Sequence, residues 1–333
     1  MPRQSEPHTM GMLIDGKWTD RRPSEVGGRF VRPESQFRKF VTADGSSGFE
    51  AEPGRYHLYI AYNCPWAHRT LIFRRLKGLE GMISISSARP DDRREGWRFH
   101  EGFPGASRDE VNGCEWLHQV YSLAKADYTG TCTVPTLWDK KTKTIVNNES
   151  SEIVRMFNTA FDGVGAKPDD YYPAALRGEI DLVNEFVYAH LNNGVYRTGF
   201  AATQDAYNEA VEKVFAGLDT LEQRLSGRRY LVGDTITEAD WRLFPTLVRF
   251  DAAYHHVFKC TWRPVSSYEN LFNYMLDLYQ VPGVSETVKL DHIVTGYYSI
   301  DRVNPNRIVP KIPKFDWTRP HNRARLGKAL SAA

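Results

Sequence analysis

The sequence predicts an α/β domain followed by an all-helical domain. Two patterns carry that expectation. Between residues 55 and 160, short runs rich in aromatic and β-branched residues alternate with helical runs in the order β-α-β and then β-β-α. From Tyr172 onward, one apolar-periodic helical segment follows another. A third observation marks where chemistry belongs: Cys64 stands where the first strand gives way to the first helix.

Residues 1–54 form a polar arm with Gly, Pro and Ser, in which residues 11–18 suit a short hairpin or a segment docked on the body. Residues 1–22 lack the apolar core of a secretory signal. Residues 55–61 are the first strand. Pro65 suits the first helical position, where a residue has no use for its N–H, so residues 65–79 form the first helix. Residues 82–87 are a second strand, completing a βαβ unit. Residues 88–130 look like an insertion, polar and carrying Gly102, Pro104, Gly105 and Gly113, with a helical piece over 111–124. Loops of that length are usually functional. Residues 133–139 read as a strand with Pro135 embedded, which indicates an edge, a bulge or a cis bond. Residues 143–146 pair with them after a Lys-rich turn. Ser150 or Ser151 caps a helix over 152–160.

In the second half, residues 174–193 form one helix. Another spans 203–225, with Ala210, Val214, Leu218, Leu221 and Leu225 along one face. The spacing of Thr237 and Asp240 is that of a capping box, opening a helix to about residue 257. Residues 268–279 are a fourth helix, broken by Pro282, and 284–290 a short fifth. The tail 303–333 is proline-bearing and charged, and is expected to lie extended over the surface. The expected division is therefore 1–54, 55–162, 172–290 and 291–333.

Hydrophobic residues make up 41% and charged residues 25%, as in ordinary soluble globular proteins. The net charge of +2 gives no electrostatic case for nucleic acid or an anionic membrane, and no apolar run approaches a membrane span. The four cysteines are widely spaced and make no disulfide framework, which fits a reducing cytoplasm.

At a helix N-terminus, unsatisfied N–H groups and the positive dipole end favour a thiolate over a thiol, which makes Cys64 a candidate nucleophile. A small buried cysteine at a packed corner is the alternative. A dithiol motif would need a second cysteine at position 67, where Ala67 stands, so a mixed disulfide with a small thiol is the natural intermediate. A phosphatase-type loop would need Cys-x5-Arg; Arg69 falls one residue short and position 70 is Thr70. His256 and Cys260 have a passable zinc spacing, but no second Cys/His pair accompanies them, and His255 and His256 read as surface or core residues.

The β-α-β-(insert)-β-β-α order, the helix-capping cysteine, the strand proline and the helical second half resemble the soluble glutathione transferases. Five motifs narrow the resemblance: Asn63-Cys64-Pro65-Trp66-Ala67-His68-Arg69-Thr70, Glu95-Gly96-Trp97, Thr133-Val134-Pro135, Asn148-Glu149-Ser150 and Asn193-Gly194-Val195-Tyr196. Together they resemble the glutathionyl-hydroquinone reductases, the Xi class of that superfamily, over residues 10–315. The resemblance implies a thioredoxin-like N-terminal domain, an all-helical glutathione-transferase C-terminal domain, a homodimer, and glutathione as cosubstrate without a metal.

The resemblance also implies roles. Cys64 matches the nucleophile. Val134 precedes a proline that is cis in the superfamily, which exposes its backbone to the cysteinyl unit of glutathione. Glu149 and Ser150 match the pair that meets the γ-glutamyl group, Ser150 at a helix N-terminus; a solvated acid beside an ordinary helix cap is the alternative. Trp97 matches a tryptophan that packs on glutathione. The chain departs from the family at Thr131, where arginine is common; Thr131, Cys132, Thr133 and Val134 remain the expected pocket wall. Cys132 is open to two readings, a resolving thiol or a buried strand cysteine. Tyr196, Tyr254 and Tyr297 match three tyrosines around the aromatic substrate, with Tyr298 competing for the place of Tyr297. Tyr196 follows Asn192-Asn193-Gly194, a helix-ending signal, and is the family's proton donor. Tyr254 and Tyr297 are expected to place hydroxyls near the cysteine sulfur. Arg307 stands where glycine is usual and is expected at the rim of the substrate pocket.

The activity implied is reduction of S-glutathionyl-hydroquinones through a Cys64–glutathione mixed disulfide. Two rivals remain from sequence: an omega-like thioltransferase or dehydroascorbate reductase using the same cysteine, and a non-enzymatic glutathione-binding module.

Overall fold

The computed structural model describes residues 11–20, 26–312 and 314–327. β1 (Met12–Ile14) and β2 (Lys17–Thr19) form the hairpin expected in the arm. Its turn, Asp15-Gly16, has positive φ at both residues (47° and 74°), as a two-residue hairpin turn that follows strand twist requires. Only glycine fits at 16, because a Cβ there would lie 1.9 Å from the Ala126 carbonyl oxygen. Leu13 and Gly130 exchange both backbone hydrogen bonds at 2.9 Å, which docks the hairpin on the insertion.

The main sheet follows. β3 (Tyr56–Ile60) leads into α1 (Pro65–Leu76) and returns in β4 (Ile83–Ser87), parallel to β3. The insertion contains α2 (Leu117–Ala124). β5 (Thr136–Asp139) and β6 (Thr144–Asn147) add antiparallel strands, and α3 (Ser150–Thr159) closes the unit. The strand order is β4-β3-β5-β6. Every residue of β3 is buried, as in a strand covered on both faces. Leu58 pairs with Ile85 on one side and Leu137 on the other, which fixes the register of the central strand. α1 and α3 pack together on one face.

The helical part comprises α4 (Arg177–Val187), α5 (Gly194–Gly199), α6 (Gln204–Ser226), α7 (Glu238–Arg249), α8 (Glu269–Tyr279) and α9 (Leu290–Tyr298). The expected apolar face of α6 is buried, and Thr203 caps it by accepting from the Ala206 N–H. The capping box at Thr237 and Asp240 forms; Asp240 also accepts from the Leu231 N–H (2.9 Å) and the Tyr274 hydroxyl (2.7 Å). α1 packs against α7 and joins the two halves.

Several sequence expectations are corrected. The helix expected over 111–124 begins only at Leu117, because the Asp109 carboxylate accepts from the N–H groups of Val111, Asn112 and Cys114 and holds a turn instead. The helix over 152–160 is capped by Glu149, not by a serine: the Glu149 carboxylate accepts from the Ser151 N–H at 3.0 Å. Residues 174–193 are not one helix that stops at Gly194. A 3-10 turn (Ala174–Leu176) precedes α4, a π-helical turn (Tyr188–Asn192) follows it, and the chain continues helical through α5. Gly194 serves contact rather than termination, since a Cβ there would sit 3.1 Å from Val214 Cγ2 on α6. The helix running to 257 ends at Arg249 and passes into a second π-helical turn, Phe250–Tyr254. Residues 284–290 hold only a 3-10 turn, Ser285–Thr287, and α9 lies where tail was expected. The run Ile293-Val294-Thr295-Gly296 has poor helix propensity. Tertiary contact overrides it: a Cβ on Gly296 would fall 2.3 Å from Asn63 Nδ2, so the bare glycine lets α9 press against the loop that carries Cys64.

Candidate active site

Cys64 is the N-cap of α1, with extended backbone (φ −79°, ψ 121°) and Pro65 at the first helical position. Its carbonyl accepts from the His68 N–H at 3.0 Å, which starts the helix. Its thiol donates to the Val134 carbonyl at 3.4 Å, and the Val134–Pro135 bond is cis. Burial pushes the Cys64 thiol above its ordinary pKa. The Ala67 and Trp66 N–H groups and the cations Arg249 and Arg32 pull the other way. Helix position alone therefore does not set the ionisation of this sulfur.

Arg249 is fully buried behind the Cys64 loop. It donates to the carbonyls of Asn63 (3.1 Å), Tyr62 (2.8 Å) and Pro245 (2.8 Å), and to His68 Nδ1 (2.9 Å). His68 Nδ1 must accept, so its proton sits on Nε2, which faces Thr287 Oγ1 at 2.8 Å. Burial and the Arg249 charge hold the His68 pKa well below its ordinary value, and the ring stays neutral.

Cys64 opens into a cavity of about 400 Å³. One part of its wall mixes polar and apolar groups. Trp97, Thr131, Cys132, Thr133, Val134, Glu149 and Ser150 line it. Ser150 is 2% exposed, and its hydroxyl has no hydrogen-bond partner among the described residues. A buried hydroxyl left so is costly unless a ligand group meets it. Burial raises the Glu149 pKa, but the Ser151 N–H and hydroxyl, the Arg69 charge and the Ser35 hydroxyl outweigh it and hold the carboxyl below its ordinary value. Arg93 stacks on Trp97, its guanidinium carbon 3.9 Å from the ring centroid.

The other part is aromatic. Tyr196 and Tyr297 line the cavity with their hydroxyls 2.6 Å apart. Tyr254 stands behind them, its hydroxyl 2.9 Å from that of Tyr297, and is not part of the lining. The hydroxyls of Tyr254 and Tyr297 bond within this cluster rather than to Cys64, whose hydrogen-bond partner is the Val134 carbonyl. Burial raises all three tyrosine pKa values, so the cluster is neutral. Tyr298 does not line the cavity; Tyr297 does. Arg307 does not line it either. It is paired with Asp301 at 2.9 Å and has φ of +52°, the left-handed region where glycine is at ease.

Sequence reasoning missed the cationic side of this site. Arg32 lies 4.7 Å from the Trp66 ring centroid and 4.8 Å from that of Tyr196, and its Nε donates to Asn193 Oδ1 at 3.0 Å. It comes from an arm without periodicity, and Arg93 sits in a charge run that reads as solvated. Trp18, from the hairpin, also reaches the cavity. Nothing local in the sequence points any of them inward.

The residues raised for zinc gather no site: among the described residues, no three His, Cys, Asp or Glu side chains are placed to hold a metal. The cysteines Cys64, Cys114, Cys132 and Cys260 are all free. No described helix is long and apolar enough to cross a membrane.

Comparison with known proteins agrees with this geometry. Residues 63–160 match the family model of the glutathione S-transferase N-terminal domain, and residues 204–276 that of the C-terminal domain. The chain is 51% identical over 323 residues to glutathionyl-hydroquinone reductase YqjG of Escherichia coli, covering 94% of this chain and 98% of that one. It is 54% identical over 307 residues to glutathionyl-hydroquinone reductase PcpF of Sphingobium chlorophenolicum, covering 91% and 96%. The glutathione-bound structure of YqjG superposes with a TM-score of 0.88 at 50% identity, over 94% of this chain and 99% of that one. A Xi-class transferase from Natrialba magadii superposes at 0.89 with 44% identity, over 96% and 98%. Thioredoxin-like sheet, helical second half and cysteine-bearing cavity thus come together in one assignment: the chain belongs to the glutathionyl-hydroquinone reductases, the Xi class of the glutathione transferases.

Proposed function

We infer that this chain reduces S-glutathionyl-hydroquinones to hydroquinones, with glutathione as cosubstrate and glutathione disulfide as the second product. The observation that carries the reading is one cavity lined by Cys64, by a Ser150 hydroxyl that has no partner among the described residues, and by the paired hydroxyls of Tyr196 and Tyr297.

In this reading, Ser150 and the N-terminus of α3 receive the γ-glutamyl carboxylate, and the Glu149 carboxylate, held ionised, pairs with the ammonium. The backbone of Val134 pairs with the cysteinyl unit. Thr131, Cys132 and Thr133 extend that wall, and Trp97 covers the peptide. The Cys64 thiolate attacks the thioether sulfur, the carbon–sulfur bond breaks, and Tyr196 supplies the proton the ring carbon gains. Tyr254 and Tyr297 act through Tyr196. A second glutathione resolves the Cys64–glutathione disulfide. Covalent catalysis divides the reduction into two displacements, so initial-rate patterns should be ping-pong. We assign glutathione binding to residues 55–162, the aromatic subsite chiefly to 172–290, and completion of the cavity to the arm 1–54 and the segment 291–333. The working form is proposed as a cytoplasmic homodimer that needs no metal.

The test is incubation with a glutathionyl-hydroquinone followed by mass analysis. Cys64 should carry one glutathione, and free hydroquinone should appear in equal amount. Tyr196→Phe should lower hydroquinone turnover by roughly 10²–10⁴-fold, the usual worth of a positioned proton donor, while turnover of a glutathione mixed disulfide survives. Equal loss on both substrates would favour a plain thioltransferase. A native protein whose Cys64 never becomes glutathionylated would leave only a binding module.

A further inference from the structure

We propose that Arg32, carried in by the N-terminal arm, is a catalytic residue of carbon–sulfur cleavage, its guanidinium holding the ring oxygen on which charge collects as the glutathionyl sulfur leaves. The proposal rests on the reaction inferred above and adds the group that receives the displaced electrons.

The demand comes from the chemistry. Attack by the Cys64 thiolate forms a sulfur–sulfur bond, and the electron pair of the carbon–sulfur bond stays with the ring. Left on an aromatic ring, that pair is an aryl carbanion and a poor leaving group. If the sulfur-bearing carbon is first protonated while the adjacent hydroxyl gives its proton to solvent, the ring becomes a ketone. The pair then flows into an enolate, which is the phenolate of the product, and solvent returns a proton to that oxygen. Two sulfurs are oxidised to a disulfide and the ring is reduced by two electrons. The site must therefore give a proton to carbon and also hold a developing oxyanion with a preorganised donor or cation.

The tyrosine cluster cannot do both. Three hydroxyls carry three protons, and the Tyr196–Tyr297 and Tyr254–Tyr297 hydrogen bonds engage two of them. One remains, and the proposed donation to carbon uses it. The oxygen then needs another partner. Arg32 lines the cavity between the rings of Trp66 and Tyr196. Its Nε is tied to Asn193 Oδ1, which fixes the orientation of the planar fork. Its Nη2 is buried without a hydrogen-bond partner among the described residues. A buried guanidinium N–H beside the proton donor, anchored at one end and free at the other, is what an oxyanion partner requires. Arg93 also has a nitrogen without a partner among the described residues and lies within electrostatic reach of Cys64, Tyr196 and Tyr297, but its guanidinium is stacked on Trp97, so it is the residue to compare with Arg32.

The experiment compares Arg32→Met, Arg32→Lys and Arg93→Met with the unmodified enzyme on two substrates. One is 2-glutathionyl-1,4-hydroquinone. The other is the mixed disulfide of cysteine and glutathione, whose leaving group is a thiolate and needs no oxyanion partner. Both use Cys64. Arg32→Met should lower kcat on the hydroquinone by ~10²-fold beyond the loss it causes on the mixed disulfide, which reports the removal of its charge beside Cys64 common to both substrates. Arg32→Lys should recover part of the loss. Mixed-disulfide turnover serves as the control for folding. Equal loss on both substrates, no loss on either, or a selective loss in Arg93→Met instead of Arg32→Met would overturn the assignment. An unmodified enzyme that turns over the mixed disulfide but not the hydroquinone would overturn the reaction itself, and the role of Arg32 with it.

Discussion

Cys64 shows how several weak influences replace one strong one. Its capping position supplies two N–H groups, its burial opposes ionisation, and the guanidinium groups of Arg249, Arg32 and Arg93 favour it. Of these, Arg249 is the most tightly built in, with hydrogen bonds to the Tyr62, Asn63 and Pro245 carbonyls and to His68. Arg249→Met removes a charge from behind the sulfur and takes its donors from the Tyr62 and Asn63 carbonyls. The Cys64 thiol should then titrate higher than in the unmodified protein, and the pH profile of iodoacetamide alkylation should move upward. Stability should also fall, by about 1–3 kcal/mol for each buried acceptor left unmet. An unchanged alkylation profile would remove Arg249 from the account of reactivity. Cys64→Ser should abolish both half-reactions, since no other cysteine stands at the cap, and a glutathionylated Cys132 in that variant would reopen the resolving-thiol reading.

At the scale of elements, α9 and α3 deliver the site. A Cβ on Gly296 would meet Asn63 Nδ2 at 2.3 Å and Asn63 Cβ at 2.8 Å, so side-chain rotation alone cannot relieve Gly296→Ala. We expect α9 to lift from the Cys64 loop, costing about 1–3 kcal/mol as an overpacking substitution and moving Tyr297 away from Tyr196. Denaturant unfolding would give the first and hydroquinone turnover the second; a variant as stable and active as its parent would mean that the contact is soft. Glu149→Ala removes the α3 cap, at a cost of about 1 kcal/mol, and should weaken glutathione binding measured by calorimetry. These elements also show what the sequence made legible. The βαβ unit, the Cys64 corner, the face of α6 and the Thr237–Asp240 box are local patterns, and each stands where its pattern put it. α9 was missed because its β-branched and glycine residues are right for contact and wrong for propensity. Gly194 misled for the same reason, a packing glycine having the letter of a stop signal. The Glu149 cap was missed because the two serines after it are the stronger capping letters, and the carboxylate reads as a ligand group or a solvated acid.

The whole molecule buries histidines whose ionisation folding suppresses, and these set the first part of its response to acid. The arm already illustrates long-range assembly: Leu13 pairs with Gly130, Trp18 stacks on His118 with centroids 4.9 Å apart, and Arg32 reaches the cavity. His57 and His68 make the same point energetically. His57 lies on the central strand with Nδ1 2.7 Å from Ser84 Oγ and Nε2 3.0 Å from Ser86 Oγ, and burial lowers its pKa to about 4 despite the Asp109 charge. His68 is lowered in the same direction by its burial and by the Arg249 charge. An unfolded histidine protonates near ~6.5, so as pH falls from there the unfolded chain takes up protons that the native chain refuses. The stability these groups confer is present above about 6.5 and is lost progressively down to the folded pKa, near 4 for His57. For His57 alone the loss approaches about 3 kcal/mol at 1.36 kcal/mol per pKa unit. Carboxylates held low by their partners, Glu149 among them, begin to lose their contribution as pH falls through the ordinary carboxylate range and finish losing it at their lower folded pKa. Urea unfolding at pH 7.5, 5.5 and 4.5 should therefore show a falling midpoint whose first step, from 7.5 to 5.5, precedes most carboxylate titration, and His57→Asn should flatten that step even if it lowers the starting value. A midpoint that holds level from 7.5 to 4.5 would mean that the interior admits protons to these rings, and that neutral His68, packed against Arg249, is the wrong protonation state on which to build the site.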